Sequence, residues 1–111
     1  MAILNLTKYE NQALDELIAT LKADWPLARF IVFGSKVKGM ADEESDIDIL
    51  IILPCKVTGE LRHHIIQKVF DVNLTYGSNI SVLIVSEDEW ERGNISILPI
   101  HAFIEEEGIP L

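Results

Sequence analysis

The chain has 111 residues, 49% hydrophobic and 24% charged, and its 9 basic against 18 acidic side chains leave a net charge of −9. That length makes one domain, residues 1–111, and not two. The apolar content excludes a disordered chain, and the acidic balance speaks against a general nucleic-acid binder, which normally presents a basic face. It favours a cation, or a cationic protein surface, as partner. Cys55 is the single cysteine, so no internal disulfide forms, which suits a reducing compartment such as the cytoplasm. No apolar run approaches the roughly 20 residues of a membrane span, and no signal-peptide pattern opens the chain.

In chain order, the first segment reads as a helix from Lys8 to Ala23. Thr7 and Glu10 fit a capping box, in which each side chain satisfies the other residue's amide. Leu14, Leu17, Ile18 and Leu21 follow on one face. Trp25-Pro26 ends the helix, since proline has no amide hydrogen to continue the ladder. Arg29 to Phe33 is a short β-rich run stopped by Gly34 and reads as a buried strand. Ile47 to Leu53 gives a second strand. It is apolar on both faces from Ile49 onward, as a central strand is, and Pro54 closes it. A second helix is predicted from Thr58 to Leu74, with Leu61, Ile65, Ile66, Val69 and Phe70 toward the core. Gly77-Ser78-Asn79 is turn chemistry, and Ile80 to Val85 is a third strand. Ser86 to Glu89 repeats the capping-box pattern before a short helical piece around Trp90. The last helix is predicted over Ile97 to Glu107, capped by Ser96, with Pro99 in its first turn and Gly108 as its stop. The fold class is therefore α/β (α+β), a small mixed sheet of three or four strands with helices packed on it.

The chemistry concentrates between Gly34 and Asp48. Asp46 and Asp48 are two apart on a strand, so both side chains leave the same face, with Cα atoms roughly 6.5 to 7 Å apart. Two carboxylates at the mouth of an apolar strand are costly unless a cation neutralises them. A hard divalent ion such as Mg²⁺ fits, because it takes one or two carboxylates and completes its shell with water and phosphate oxygens. Gly34-Ser35 directly after a strand makes the complementary half. Glycine admits a phosphate to the backbone, and amides with the Ser35 hydroxyl hold its oxygens. Lys36 and Lys38 add positive charge, and Gly39 permits a turn. One loop offers an anion site and the next strand a metal site.

Gly34-Ser35, ten residues, then Asp46-Ile47-Asp48 resembles the Gly-Ser-x10-Asp-x-Asp signature of the nucleotidyltransferase superfamily that includes DNA polymerase β. The chain is most similar to its minimal members, small stand-alone domains often paired with helical HEPN-type ribonuclease toxins. The resemblance extends over nearly the whole chain, including the closing Ile-Glu-Glu-Glu-Gly-Ile-Pro-Leu. It implies transfer of a nucleoside monophosphate from ATP or another nucleoside triphosphate to a hydroxyl, with pyrophosphate leaving. It also implies that Asp46 and Asp48 hold two Mg²⁺ ions and carry catalysis, while Gly34 and Ser35 bind the β and γ phosphates. Lys38 stands where many relatives carry arginine, and pairs with phosphate as a point charge. The implied role is that of an antitoxin nucleotidylating its toxin.

One position departs from that pattern. Catalytic relatives place a third carboxylate on the strand after the second helix, and the matching position is Ser81. Serine supplies a neutral oxygen where the reaction wants a ligand and base. Glu87 or Asp88 substitutes for it only if the strand bends back. Two readings therefore stand side by side: a transferase acting on a partner protein, and a nucleotidyltransferase fold that neutralises its partner sterically. A third, transfer to a small molecule, needs a homodimer to build the acceptor pocket, so homo- and hetero-oligomers are both open. The remaining residues read plainly. His63 and His64 face different directions on a helix and belong to its surface. Cys55 is unreactive, Glu105-Glu106-Glu107 is a solvated last turn, and Trp25, Trp90 and Phe103 are core or interface anchors.

Overall fold

The computed structural model describes residues 6–34 and 46–111, and its first helix starts where the capping residues put it. The Thr7 hydroxyl accepts from the Glu10 amide at 3.1 Å while the Glu10 carboxylate accepts from the Thr7 amide at 2.9 Å, so two orphan donors are satisfied together. Helix α1 (Lys8–Asp24) ends at Trp25 and buries Ala13, Leu14, Leu17 and Leu21.

Strands β1 (Arg29–Phe33), β2 (Ile47–Leu53) and β3 (Ile80–Ser86) form from the β-branched runs. The sheet order is β3-β2-β1-β4. β1 and β2 are antiparallel and β2 and β3 parallel, so the sheet is mixed and β2 is internal, as its apolar run predicts. The fourth strand, β4 (Ile109–Pro110), pairs antiparallel with β1 at Val32 and Ile31. Two residues, one of them proline, carry no alternation, and only the contact with β1 makes them a strand.

Helix α2 (Gly59–Tyr76) is capped by the Thr58 hydroxyl, which accepts from the Leu61 amide, and closes at Gly77 with φ 65°. It buries Ile65, Val69 and Val72. The predicted inward set is corrected here, because Ile66 and Phe70 lie exposed. Each sits one residue, about 100° of rotation, beyond a buried neighbour, and a core stripe cannot take both. The second capping box forms between Ser86 and Glu89 at the start of α3 (Glu87–Arg92), which buries Trp90. The last helix begins later than predicted. Residues Asn94–Ile97 make a tight 3₁₀ turn, in which the Ser96 hydroxyl donates to the Gly93 carbonyl at 2.7 Å. Helix α4 (Pro99–Glu107) then starts on proline without a side-chain cap, since the amide that proline lacks would have been an orphan anyway.

Strand alternation divides the core between two faces. Ile49 and Ile51 of β2, with Phe30 and Val32, pack beneath α1 and α2; Trp25 flanks this core. Leu50 and Ile52 pack on the other face against Trp90 of α3 and Ile104 of α4, flanked by Phe103. The Trp90 Nε1 donates to the Glu105 carboxylate at 3.0 Å, so Glu105 anchors α4 to α3 and is not simply solvated. Among the described residues, no helix is long and apolar enough to cross a membrane.

Candidate functional site

The sheet register assembles the site from three strands. Phe33 of β1 pairs with Asp48 of β2, and Asp48 pairs in turn with Ser81 of β3. Gly34, which follows Phe33, therefore meets Asp48 and Ser81 at one end of the sheet. Asp46 leads into β2, and the Ile47 amide next to it donates to the Asn79 carbonyl at 2.8 Å. Asp46 and Asp48 share the face that further along carries Leu50 and Ile52. There α3 and α4 cover the strand; at Asp46 they do not, and it is exposed, with Asp48 half-buried.

Gly34 is required twice over. Its φ of +85° lies in the left-handed region, which a Cβ disfavours, and a Cβ built there would stand 2.5 Å from the Asp48 Oδ2. Only glycine lets the backbone pass so close to this carboxylate. That approach is not readable from the sequence, which explains Gly34 by phosphate access alone.

Among the described residues, no cation compensates the pair. Burial, and secondarily the charge of Asp46, push the Asp48 carboxyl above its ordinary value of 3.8, both effects disfavouring the ionised form. Among the described residues, the ion pairs are Arg29–Glu91, Arg92–Asp88 and His101–Glu105, and none reaches Asp46 or Asp48. Two carboxylates on one face, with no cation among the described residues paired to them, are a donor set that fits Mg²⁺.

Ser35 and Lys38, with Lys36, Gly39, Asp42, Glu43 and Glu44, lie outside the described residues. Ser81 is exposed and is the direct neighbour of Asp48 on β3, so the register brings a neutral hydroxyl beside the carboxylates. Glu87 and Asp88 do not return to replace it. β3 runs unbroken to Ser86, which leaves Glu87 six residues and roughly 20 Å from Ser81, and Asp88 is paired with Arg92 at 2.8 Å. His63 and His64 are exposed, and among the described residues no group of three His, Cys, Asp or Glu side chains converges on a metal position.

One positioning residue escapes sequence reasoning. The Asn73 Nδ2 donates to the Ile80 carbonyl at 3.1 Å, and its Oδ1 accepts from the Ile80 amide at 2.9 Å and the Ser78 hydroxyl at 2.8 Å. Asn73 thus fastens the start of β3 to α2 and holds Ser81 in register with Asp48. Its only signal is an asparagine four residues before the glycine that ends a helix.

The sequence profile of the family described as "Nucleotidyltransferase domain" matches residues 14–108. A protein of Methanocaldococcus jannaschii, "Putative protein adenylyltransferase MJ0604", is 33% identical over 86 residues, covering 75% of this chain and 80% of that protein.

Proposed function

The chain belongs to the nucleotidyltransferase domain family, and we propose that it binds ATP or another nucleoside triphosphate with Mg²⁺ and transfers the nucleoside monophosphate to a hydroxyl of a partner protein. The observation that carries this reading is the Asp46–Asp48 pair, uncompensated by any cation of the described residues and packed against a glycine that leaves its carboxylate room. Asp46 and Asp48 are the residues that would hold the metal. When bound, Mg²⁺ neutralises charge on the triphosphate and lowers the pKa of the attacking hydroxyl. Gly34 leaves the backbone open to the β and γ phosphates, with Ser35 and Lys38 as their further partners. In the transfer, the acceptor oxygen bonds to the α-phosphorus while the bond from that phosphorus to the β-phosphate bridge breaks. Pyrophosphate leaves and the acceptor's proton passes to solvent. Ser81 can hydrogen-bond the acceptor but takes up a proton poorly, so turnover is slow.

The name of the Methanocaldococcus jannaschii relative gives adenylyl as the group and protein as the acceptor. An acidic chain of net charge −9 suits a basic acceptor, and a HEPN-type toxin neutralised in the cytoplasm is the partner the family resemblance implies. The second reading, a binding module that blocks its partner without transfer, is favoured by one observation: Ser81 in place of a third carboxylate.

The test is label transfer in lysate of the organism that encodes the chain, using ATP labelled on its α-phosphate with Mg²⁺. A labelled protein band that disappears in Asp46→Asn/Asp48→Asn, and intensifies about tenfold or more in Ser81→Asp, is the expected result. No band from any form, with partner binding intact in the double variant, overturns the transferase reading in favour of the binding module.

A further inference from the structure

Among the described residues, most hydroxyls are already committed. The Ser78 hydroxyl donates to the Asn73 Oδ1 at 2.8 Å, the Ser86 hydroxyl accepts from the Glu89 amide at 3.0 Å, and the Ser96 hydroxyl donates to the Gly93 carbonyl at 2.7 Å. Thr7 and Thr58 cap helices, while Thr75 donates to the Asp71 carbonyl and Tyr76 to Glu16. Tyr9 and Thr20 belong to α1, which covers the sheet face opposite to the one Asp46 and Asp48 share. Ser81 is left, exposed and with no hydrogen bond from its hydroxyl to any described residue.

Its position is fixed by the ladder. Ser81 pairs with Asp48 in register, so the two side chains leave the same face of strands about 4.8 Å apart. β3 is an edge strand, and no further strand screens Ser81 on its outer side. The next residue on this face, Leu83, already flanks the core under Trp90 and Ile104, so the open part of the face ends with Asp48 and Ser81. The Asn73 side chain holds both backbone groups of Ile80, at 2.9 and 3.1 Å, which keeps the residue just before Ser81 in place.

We propose that Ser81 is itself an acceptor: it takes the nucleoside monophosphate from the triphosphate bound beside it and becomes a modified residue of this chain. This deepens the transferase reading and rests on it. The Ser81 Oγ bonds to the α-phosphorus while the bond from that phosphorus to the β-phosphate bridge breaks. Pyrophosphate leaves with the electron pair of that bond, the hydroxyl proton passes to solvent, and a phosphodiester remains on Ser81. A hydroxyl in the same molecule as the bound donor, when well oriented, reacts as though present on the order of 10⁵ M or more. Ser81 therefore competes with water and with any separate acceptor, although serine gives up its proton reluctantly. One hydroxyl is offered, so the reaction stops at one group per chain.

The experiment incubates the purified full chain alone with Mg²⁺ and ATP labelled on its α-phosphate, beside ATP labelled on its γ-phosphate, and reads the intact mass and the labelled peptide. Expected is a gain of one adenylyl group with the α label retained and the γ label absent. The label should sit on the peptide that holds Ser81, and its rate should not change with protein concentration. Ser81→Ala and Asp46→Asn/Asp48→Asn should each lower it about tenfold or more. Placement is read without turnover in Cys55→Ser/Ser81→Cys. There Mg²⁺ with the α,β-methylene analogue of ATP, which cannot transfer, should slow alkylation of the introduced thiol about fivefold or more. Label on another residue, labelling that survives Ser81→Ala, a rate that rises with protein concentration, or alkylation untouched by the analogue each overturns the proposal. If the purified chain stays unlabelled while lysate proteins are labelled through Asp46 and Asp48, Ser81 is not an acceptor and the transferase reading stands. If neither the chain nor any lysate protein is labelled, the reading beneath the proposal fails with it.

Discussion

Gly34 and Asp48 set the terms of the site at the scale of single atoms. A methyl group on Gly34 meets the Asp48 Oδ2 at 2.5 Å and forces a φ of +85° on an alanine. Gly34→Ala should therefore cost roughly 1 to 2 kcal/mol from the left-handed conformation alone. It should also weaken Mn²⁺ binding about tenfold or more as the carboxylate is displaced, read by denaturant unfolding and by electron paramagnetic resonance. Asp48 predicts an effect of opposite sign on stability. Its folded pKa is raised above 3.8, so between 3.8 and the raised value the folded state holds more protons than the unfolded one and stability falls as pH rises. Above that window the penalty is fully present. Asp48→Asn should then stabilise the metal-free protein at pH 7, by no more than about 1 kcal/mol because the carboxylate is still largely solvated. Thermal unfolding should show the gain shrinking as the pH is lowered toward 3.8, and saturating MgATP should favour the wild-type chain instead.

The elements show where sequence patterning is sufficient. Both capping boxes, the three long strands and the internal position of β2 follow from spacing of two, three and four residues, which local geometry enforces. That Asp46 and Asp48 share a face was legible from their spacing of two, although Asp46 lies just before β2, and the place of Ser81 beside Asp48 was legible because the strand after α2 holds one polar residue in an apolar run. What was not legible depends on contacts between elements. Ile66 and Phe70 look like core in a one-dimensional pattern; only packing against α1 and the sheet selects Ile65, Val69 and Val72 over them. β4 exists because β1 has a free edge there, and Glu105 is held because Trp90 needs an acceptor. Asn73 belongs to this second class. Its three hydrogen bonds fix the register of β3, and Asn73→Ala should destabilise the protein by about 2 kcal/mol, since backbone groups of Ile80 lose their partners. Asn73→Asp, which keeps the acceptor oxygens and loses one donor, should cost less. Denaturant midpoints at equal m-value check both, and equal losses for the two would contradict the clamp.

Taken as a whole molecule, the chain places its covered face and its open end deliberately apart. α1 and α2 seal one side of the sheet, and α3 and α4 seal the far part of the other. The near part leaves Asp46 exposed and Asp48 half-buried, the latter beside the glycine that makes room for it. An acidic chain that sets two aspartates at an open strand end, with no cation of the described residues paired to them, has stability to gain from a bound cation. The most direct test is calorimetric titration of MgATP into the wild-type chain and into Asp46→Asn/Asp48→Asn, repeated with the metal chelated. Saturable binding that requires Mg²⁺ and falls at least tenfold in the double variant is the predicted result. Binding that persists undiminished in the double variant, or no binding by the wild-type chain, would contradict the assignment of Asp46 and Asp48 as the metal–nucleotide site.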